Sequence, residues 1–499
     1  MSTSAEVQDR FPLSSQQRLW WATDPTAAFG PRFVITRSLR VKGQVNNSAL
    51  QEALDDVAAR HEILRTVVVC DADPPYQEIY SPSPVPLRVR VLPDLEDRLR
   101  DAYAQELLIE AEQSSVNVED LPLLRAELSV FDDRDSVLTV VSHHTAGDGW
   151  SMQLIVRDLA ECYTARAAGQ VPALPPVRQY REFTAREQYL AASPMAREAR
   201  AYWRQQLRGA QIFALPVDHP ITEPLASPYN SHHFIIDADV MTAVTAIAKS
   251  AHATTFMVLL AAIDVLAYQI TGTTDPVIRN ITAGRGERQF QDTVGVTLSF
   301  VPLRTDTSRS GSFRELVESV RDTCIGASSR EIPLDIIAQE APELNKSAED
   351  PRFALFLLGY YSQPPSSSTE IKLADGSYMI RTGTPKEHVS PQLAGGIVWT
   401  MSLLPSGELK CRIEFNSGAF DQDTIAGFSQ AYSRILAQAA AEPERKWKAI
   451  LDKGLGADDN GLAGDVHQLV EERGDVHRDP HAAVRDRRQR HRDVAVDGV

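Results

Sequence analysis

The segment from residue 123 to residue 169 limits the fold more than any other part of this chain. "LLRAELSVFDDRDSVLTVVS" (123–142) contains two strand-like runs separated by a polar turn, which predicts a β-hairpin. "SMQLIVRDLAECYTARAAG" (151–169) then places apolar residues on one side at helical spacing and ends at a glycine, which predicts a helix. Paired strands followed directly by an amphipathic helix indicate a mixed α+β fold.

Two adjacent histidines, His143 and His144, lie between the predicted strand and the predicted helix. Neighbouring side chains on a strand point to opposite faces, so the two imidazoles are poorly placed to share one metal ion. The chain also lacks an H-E-x-x-H helix motif, and we predict no metal site. Two interpretations stay open: one imidazole faces a pocket as a general base, or both are hydrogen-bonded inside the core and perform no chemistry.

Asp148 follows the histidine pair and precedes Gly149 and Trp150. A carboxylate buried in such a loop needs a cationic partner, because an unpaired buried charge is costly. Arg65 lies in "ARHEILRTVVV", at a predicted helix-to-strand boundary of the same region, and could form a bidentate ion pair with Asp148. This interpretation makes Asp148 a residue that shapes the loop without touching substrate.

The bulk composition excludes several classes of function. The 499 residues are 43% hydrophobic and 24% charged, and the most apolar run, "TTFMVLLAAIDVLAYQITG", carries Asp264 in its middle, so we expect a globular protein without a membrane span. A net charge of −16 argues against binding nucleic acid. The amino terminus lacks the pattern of a secretory signal, which predicts a cytoplasmic protein. The four cysteines form no C-x-x-C pair and are expected to be free thiols.

The order of predicted elements divides the chain into three parts. Helices and strands alternate over residues 1–175, and the proline-rich "GQVPALPPVRQYREF" then connects to a second region of the same style at 176–455. Residues 456–499 are polar, charged and poor in large apolar groups, which predicts a disordered tail. We call the first two parts the N-terminal lobe and the C-terminal lobe.

The stretch "HHTAGDGWS" resembles the H-H-x-x-x-D-G motif of nonribosomal peptide synthetase condensation domains, which are relatives of chloramphenicol acetyltransferase. Further stretches resemble other motifs of that family in the same order, and the similarity covers roughly residues 8–440. They are "LSSQQRLWW" (13–21), "RHEILRT" (60–66), "YREF" (180–183), "VGVTLSFVPLR" (294–304) and, more loosely, "IPLDIIAQEAPE" and "EDPRFALFLLGY".

The resemblance implies two chloramphenicol-acetyltransferase-like lobes in a V-shaped pseudo-dimer with a tunnel between them. Each tunnel end would admit the phosphopantetheine arm of an acyl or peptidyl carrier protein, one at a donor face and one at an acceptor face. A small-molecule nucleophile is an alternative acceptor. No cofactor bound to the chain itself, no membrane and no nucleic acid are implied, and we expect a monomer.

The resemblance also assigns roles to the motif residues. His144 would face the tunnel as a general base or a hydrogen-bond anchor for the nucleophile, and the backbone amide of Gly149 would stabilise a developing oxyanion. Ser299 and Arg304 of the fifth motif are expected along the tunnel, with Ser299 at a position where the family usually has Asn. The residues expected to support the site structurally are His143, Asp148, Arg65 and Trp150.

Several functions share this motif. We expect condensation of a carrier-bound (amino)acyl thioester with an amine or an alcohol. A polyketide-associated O-acyltransferase is favoured by Ser299 and the chain length, whereas an epimerisation domain is disfavoured by the opening "LSSQQRLWW". Heterocyclisation domains replace the histidine pair with aspartate. A catalytically idle platform that recruits tailoring enzymes would tend to lose the motif histidine, which is intact here.

Overall fold

The computed structural model describes residues 6–23, 30, 33–221, 229–361, 370–373, 378–381 and 396–453; the predicted tail at 456–499 lies outside them. The strands are β1 (Val7–Pro12), β2 (Val34–Lys42), β3 (Thr66–Val69), β4 (Tyr76–Tyr80), β5 (Leu87–Val91), β6 (Leu124–Asp132), β7 (Asp135–His143), β8 (Ala214–Pro216), β9 (Tyr229–Ile236), β10 (Val277–Thr282), β11 (Ser299–Arg304), β12 (Phe353–Tyr361), β13 (Glu370–Lys372), β14 (Tyr378–Arg381), β15 (Ile397–Leu403) and β16 (Leu409–Asn416). The α-helices are α1 (Ser15–Thr23), α2 (Asn47–Arg60), α3 (Asp97–Glu112), α4 (Gly149–Ala167), α5 (Tyr180–Ala192), α6 (Pro194–Gln206), α7 (Ala238–Ser250), α8 (Thr255–Thr271), α9 (Phe313–Ser328), α10 (Leu334–Glu340) and α11 (Gln422–Ala441).

The N-terminal lobe is built on a six-stranded sheet with the order β13-β14-β2-β7-β6-β5. The predicted hairpin is present as the antiparallel pair β6 and β7, and β2 pairs with the other side of β7. Leu138 of β7 belongs to the core formed with α2 and α4, whereas the neighbouring Val137 packs against α3. Because adjacent strand residues face opposite sides, helices cover both faces of β7. This central strand is buried along its whole length and ends at His143.

The C-terminal lobe contains a seven-stranded sheet in which the order is β11-β10-β12-β15-β16-β9 and β8 pairs with β12. One face of this sheet is covered by the apolar sides of α8 and α11, and the core between them contains Trp399 and Tyr432. The helix α8 is capped by Thr254, whose side chain accepts a hydrogen bond from the Met257 amide. A smaller sheet with the order β1-β4-β3 lies outside both larger sheets.

Residues from beyond position 176, called the C-terminal segment below, complete the N-terminal lobe. The strands β13 and β14 come from beyond residue 176, yet β14 pairs antiparallel with β2, with Tyr378 opposite Lys42. Phe290, Val294 and Val296 are also buried in the core of the N-terminal lobe. The sheet and the core therefore cross the predicted boundary between residues 175 and 176.

The α+β prediction is confirmed by this arrangement of mixed helices and sheets. In the part of the chain that the structure describes, no single helix is long and apolar enough to cross a membrane. The helices α7 and α8 meet the length and composition criteria only as a pair, which is bent by 105°.

Candidate active site

The histidine motif forms the connection between the central strand β7 and the helix α4. A short 3₁₀ turn, His144–Ala146, follows the strand, and Asp148 then caps α4 by accepting a hydrogen bond from the Ser151 amide at 2.8 Å. Asp148 is extended (φ −124°), as helix-capping residues usually are. Strand, turn and capped helix together fix the positions of both histidines.

His143 is fully buried and held by hydrogen bonds at both ring nitrogens. Its Nε2 lies 3.0 Å from the Gly30 carbonyl oxygen, which can only accept, so the proton resides on Nε2. The unprotonated Nδ1 accepts from the Thr145 amide at 3.2 Å and lies 2.8 Å from the Thr145 hydroxyl. Burial lowers the pKa of His143 to about 4. The ring is therefore neutral, and its hydrogen bonds stabilise the turn.

His144 has a different environment made of aromatic rings. Its imidazole stacks on Phe33, with centroids 4.6 Å apart and planes 15° apart, and meets the edge of Trp20 at 5.5 Å. The backbone amide of His144 donates to the Phe33 carbonyl at 2.7 Å. Within the described residues its buried Nδ1 has no hydrogen-bond partner. Burial lowers the pKa of His144, so the ring is neutral at pH 7 and can accept a proton.

The cationic partner of Asp148 is Arg285, not Arg65 as the sequence suggested. The Arg285 guanidinium donates to the two carboxylate oxygens at 3.0 and 3.3 Å, and both side chains are almost fully buried. The Thr297 amide donates to the same carboxylate at 3.2 Å. These bonds hold the pKa of Asp148 below its usual value despite burial. Asp148 thus ties the motif loop to residues 283–297 of the C-terminal segment.

Arg65 is equally buried but lies elsewhere. Its guanidinium donates to the side chain of Gln8 at 2.7 Å and to the backbone carbonyl of Tyr80. Both partners belong to the small sheet β1-β4-β3 or flank it. Arg65 lies just before β3, and its side chain extends toward β1 and β4, so the predicted ion pair with Asp148 does not form.

Trp150 and Gly149 begin the helix α4. The Trp150 indole nitrogen donates to the Gln291 carbonyl at 3.1 Å, and the ring lies 5.7 Å from the Arg285 guanidinium. Trp150 therefore forms a second link between the motif and the C-terminal segment. Gly149 is exposed, and a β-carbon built on it would meet no atom within 4 Å. Amides in the first turn of a helix lack partners within that helix, so the Gly149 N–H can serve a ligand.

Ser299 and Arg304 lie at opposite ends of β11, about 17 Å apart at the usual rise per strand residue. Ser299 follows two residues after Thr297, which donates to Asp148, so this end of β11 is close to the motif loop. The Arg304 guanidinium forms an ion pair with Asp275 at 2.6 Å and donates to two backbone carbonyls. Its hydrogen bonds thus stabilise the far end of the strand.

Sequence reasoning missed Arg285 and the aromatic rings around His144. The glycines that flank Arg285 in "GRG" were the sequence signal for this residue. In the structure Gly284 has a φ of +63°, and a β-carbon there would lie 1.7 Å from the Thr297 carbonyl oxygen. Only glycine permits that close approach, which brings Arg285 alongside Asp148. The aromatic pair Trp20 and Phe33 shows no local pattern that would connect it to His144.

We expect His143→Gln to flatten the dependence of stability on pH. In the folded protein His143 has a pKa of about 4, against about 6.5 when unfolded, so its stabilisation is complete above pH 6.5 and is lost as pH falls toward 4. Within that interval the free energy of unfolding changes by about 1.4 kcal/mol per pH unit. The wild type should therefore lose about 3 kcal/mol of stability between pH 6.5 and pH 4, and His143→Gln should not show this loss. Urea unfolding at several pH values measures this difference.

The control is His219→Gln, the same substitution at an exposed histidine that pairs with Asp421 at the surface. At this exposed position the substitution should cost less stability at pH 7 than it does at the buried His143. Parallel stability curves for His143→Gln and the wild type would contradict the assignment of a buried neutral His143.

Fold and site together place the chain in the chloramphenicol-acetyltransferase-like class. Residues 7–451 match the family model of the condensation domain, and the chain belongs to that family. It is a condensation domain of the type found in nonribosomal peptide biosynthesis. Within the described residues, no group of three or more His, Cys, Asp or Glu side chains is arranged to hold a metal ion.

Two curated relatives are long synthetases. The chain is 29% identical over 446 residues to the chondramide synthase cmdD of Chondromyces crocatus, covering 87% of this chain and 11% of that protein. It is 28% identical over 485 residues to the phosphinothricin tripeptide synthetase PhsC of Streptomyces viridochromogenes, covering 97% of this chain and 44% of that protein. The chain thus spans less than half the length of either relative.

Solved structures share the fold. SgcC5 from Streptomyces globisporus has a TM-score of 0.78 at 33% identity, covering 87% of this chain and all of that chain. The X-domain from teicoplanin biosynthesis has a TM-score of 0.75 at 24% identity, covering 91% of this chain and 99% of that chain, and this likeness concerns the fold alone.

Proposed function

We propose that the protein transfers an acyl or aminoacyl group from the phosphopantetheine thioester of a carrier protein to an amine or alcohol. The observation that carries the proposal is His144, a neutral imidazole packed against aromatic rings beside the first turn of α4. A thioester is already activated, so a chain that aligns the reactants and accepts one proton needs no bound cofactor for this chemistry.

The reaction follows from these groups. The nucleophile attacks the thioester carbon while His144 accepts its proton or orients it, and a new C–N or C–O bond forms. The carbonyl electron pair moves to oxygen, where the Gly149 amide stabilises the negative charge. When the carbonyl re-forms, the C–S bond breaks and the proton passes from His144 to the pantetheine sulfur. The products are an amide or ester and a free thiol on the carrier.

An alcohol acceptor has specific support. The SgcC5 crystal contains (R)-(−)-1-(2-naphthyl)-1,2-ethanediol, a vicinal diol, and that protein is 33% identical to this chain. Ser299, at the position of the usual Asn, also distinguishes this chain from the family motif. We therefore propose that this chain accepts alcohols, with amide formation as the alternative outcome.

We expect carrier-bound donors to react about 10²-fold faster or more than the same acyl group on free pantetheine at equal concentration, since docking raises the effective concentration of the tethered substrate. The assay offers a panel of aminoacyl-loaded carriers with 1-(2-naphthyl)-1,2-ethanediol, or with its analogue carrying an amine at carbon 2. Mass spectrometry separates ester from amide.

Equal rates for carrier-bound and free thioesters would contradict the role of carriers. Amide formation without ester would contradict the alcohol preference. If no loaded carrier yields product with either acceptor, the transferase proposal fails, and the recruitment platform becomes the better description.

A further inference from the structure

Two aromatic side chains lie in direct contact with the motif histidines. The Phe33 ring is parallel to the His144 imidazole, with centroids 4.6 Å apart and planes 15° apart. The Trp20 ring is nearly perpendicular to both: its centroid lies 5.0 Å from that of Phe33, at 88°, and 5.5 Å from that of His144, at 82°. Phe33 also contacts His143 in a T-shaped arrangement, with centroids 6.1 Å apart. These separations are those of directly packed aromatic rings.

The main chain holds Phe33 beside His144 as firmly as the rings do. The Phe33 carbonyl accepts a hydrogen bond from the His144 amide at 2.7 Å, and the Phe33 amide donates to the Gly30 carbonyl at 3.1 Å. The same Gly30 carbonyl accepts from Nε2 of His143. The next residue along the chain, Val34, begins β2 and pairs with His143 at the end of β7. The position of Phe33 relative to the motif is therefore fixed, and its ring is buried.

Trp20 is held against the motif by the helix α1. Gln17, one turn earlier on this helix, donates from Nε2 to the Thr145 carbonyl at 3.3 Å and to the Gln77 side chain at 3.0 Å. Residues three apart on a helix lie on the same face, so Gln17 and Trp20 approach the turn of the motif together. Trp20 itself is only partly buried.

These rings fix the plane of the His144 imidazole. In many enzymes a hydrogen bond from one ring nitrogen to a third group orients a histidine that acts as a base. Nδ1 of His144 is buried and has no hydrogen-bond partner in the part of the chain that the structure describes. Turning the imidazole out of its plane would break the parallel contact with Phe33, and tilting it toward α1 would bring it against Trp20.

We propose that Phe33 is a positioning residue for acyl transfer, which holds the His144 imidazole in the plane from which it accepts the proton of the nucleophile. Trp20 limits the remaining movement of the imidazole. This inference rests on the proposed role of His144, and neither aromatic ring exchanges a proton or forms a bond. The proton passes from the nucleophile to His144 and then to the pantetheine sulfur, and Phe33 affects only the alignment of that transfer.

The first test is Phe33→Leu, which keeps an apolar side chain and removes the flat ring. We expect kcat to fall about 10- to 10²-fold while KM for the donor changes little, because a misaligned base slows the chemical step and leaves donor binding intact. In the His144→Ala background the same leucine should cause little further loss of kcat, since Phe33 acts through the imidazole. A purely structural ring would lower both proteins equally.

The matched control is Phe131→Leu, the same change at a buried phenylalanine of the same lobe. Phe131 lies near the end of β6, where its ring contacts Tyr103, and is separated from His143 by more than about 20 Å along β7. This substitution should lower the melting temperature and leave kcat at the wild-type value.

The partly buried Trp20 provides a second pair of variants that is less demanding for folding. Trp20→Leu removes the perpendicular ring and should lower kcat, whereas Trp20→Phe keeps a ring and should retain more activity. If Phe33→Leu does not fold, this pair decides the question: equal activity of Trp20→Leu and the wild type would contradict the inference.

NMR spectroscopy tests the ring contact without any substrate. Protons above the face of an aromatic ring resonate upfield because of its ring current. With labelled histidine, the His144 ring protons are assigned as the signals that disappear in His144→Ala. They should move downfield in Phe33→Leu and stay in place in Phe131→Leu.

The outcomes separate this inference from the proposed function. A wild-type protein that forms no product refutes acyl transfer, and the NMR spectra then still decide whether Phe33 holds the imidazole. An active wild type whose Phe33→Leu variant keeps its kcat, or keeps its His144 resonances, refutes the positioning role alone. Equal losses from Phe33→Leu with and without the His144 imidazole would also overturn it.

Discussion

Replacing His144 with alanine is expected to lower kcat by about 10²- to 10⁴-fold while the protein still unfolds cooperatively. The imidazole is neutral because burial lowers its pKa, and so it can accept the proton that the nucleophile loses. The loss should be larger with an alcohol than with an amine, since an amine delivered neutral needs little help from a base. Single-turnover rates with both acceptors measure the difference.

The matched control is the neighbouring histidine. His143→Ala removes hydrogen bonds to Gly30 and Thr145 and should reduce the melting temperature, while the folded fraction keeps more activity than His144→Ala. The pH profile adds a second criterion: kcat/KM should fall as pH drops below the lowered pKa of His144. A His144→Ala protein with wild-type rates for both acceptors would refute its role in proton transfer.

The sequence predicts the local elements of the site because their signals are local. The alternation in residues 123–142 predicts β6 and β7, and the apolar spacing after Ser151 predicts α4; both are confirmed. The chain leaves β7 and enters α4 at Asp148, and aspartate is a residue type that often caps helices. Short-range patterns therefore locate His143 and His144 at the end of a buried strand.

The partners of these residues could not be predicted in the same way. Asp148 pairs with Arg285, which is 137 residues away in the sequence, and not with Arg65, although both arginines are buried. Arg285 and Arg65 do not differ in charge or burial. The path of residues 283–297 through the fold is what brings Arg285 to Asp148. The pairing of β14 with β2 is another contact at long range, set by how the C-terminal segment crosses to the first lobe.

Breaking the buried ion pair is the second change with a large expected effect. Arg285→Met should lower the free energy of unfolding by about 3 to 5 kcal/mol, because Asp148 would stay buried without its cation. The guanidinium also donates to the Thr293 carbonyl at 3.0 Å and the Ser151 hydroxyl at 3.1 Å, and both bonds would be lost. Denaturant unfolding at pH 7 measures the change.

The control, Arg65→Met, removes an equally buried arginine whose partners, Gln8 and Tyr80, are uncharged groups, so its cost should be smaller. Asp148→Asn combined with Arg285→Met removes both charges of the pair and should cost less than the two single changes together. That coupling is the signature of a direct interaction, because independent sites would give additive losses. If Arg65→Met proved the more damaging substitution, or if the double variant were additive, Arg285 would not be the residue that keeps Asp148 charged inside the protein. The Asp148 carboxylate would then depend on its hydrogen bonds from Ser151 and Thr297.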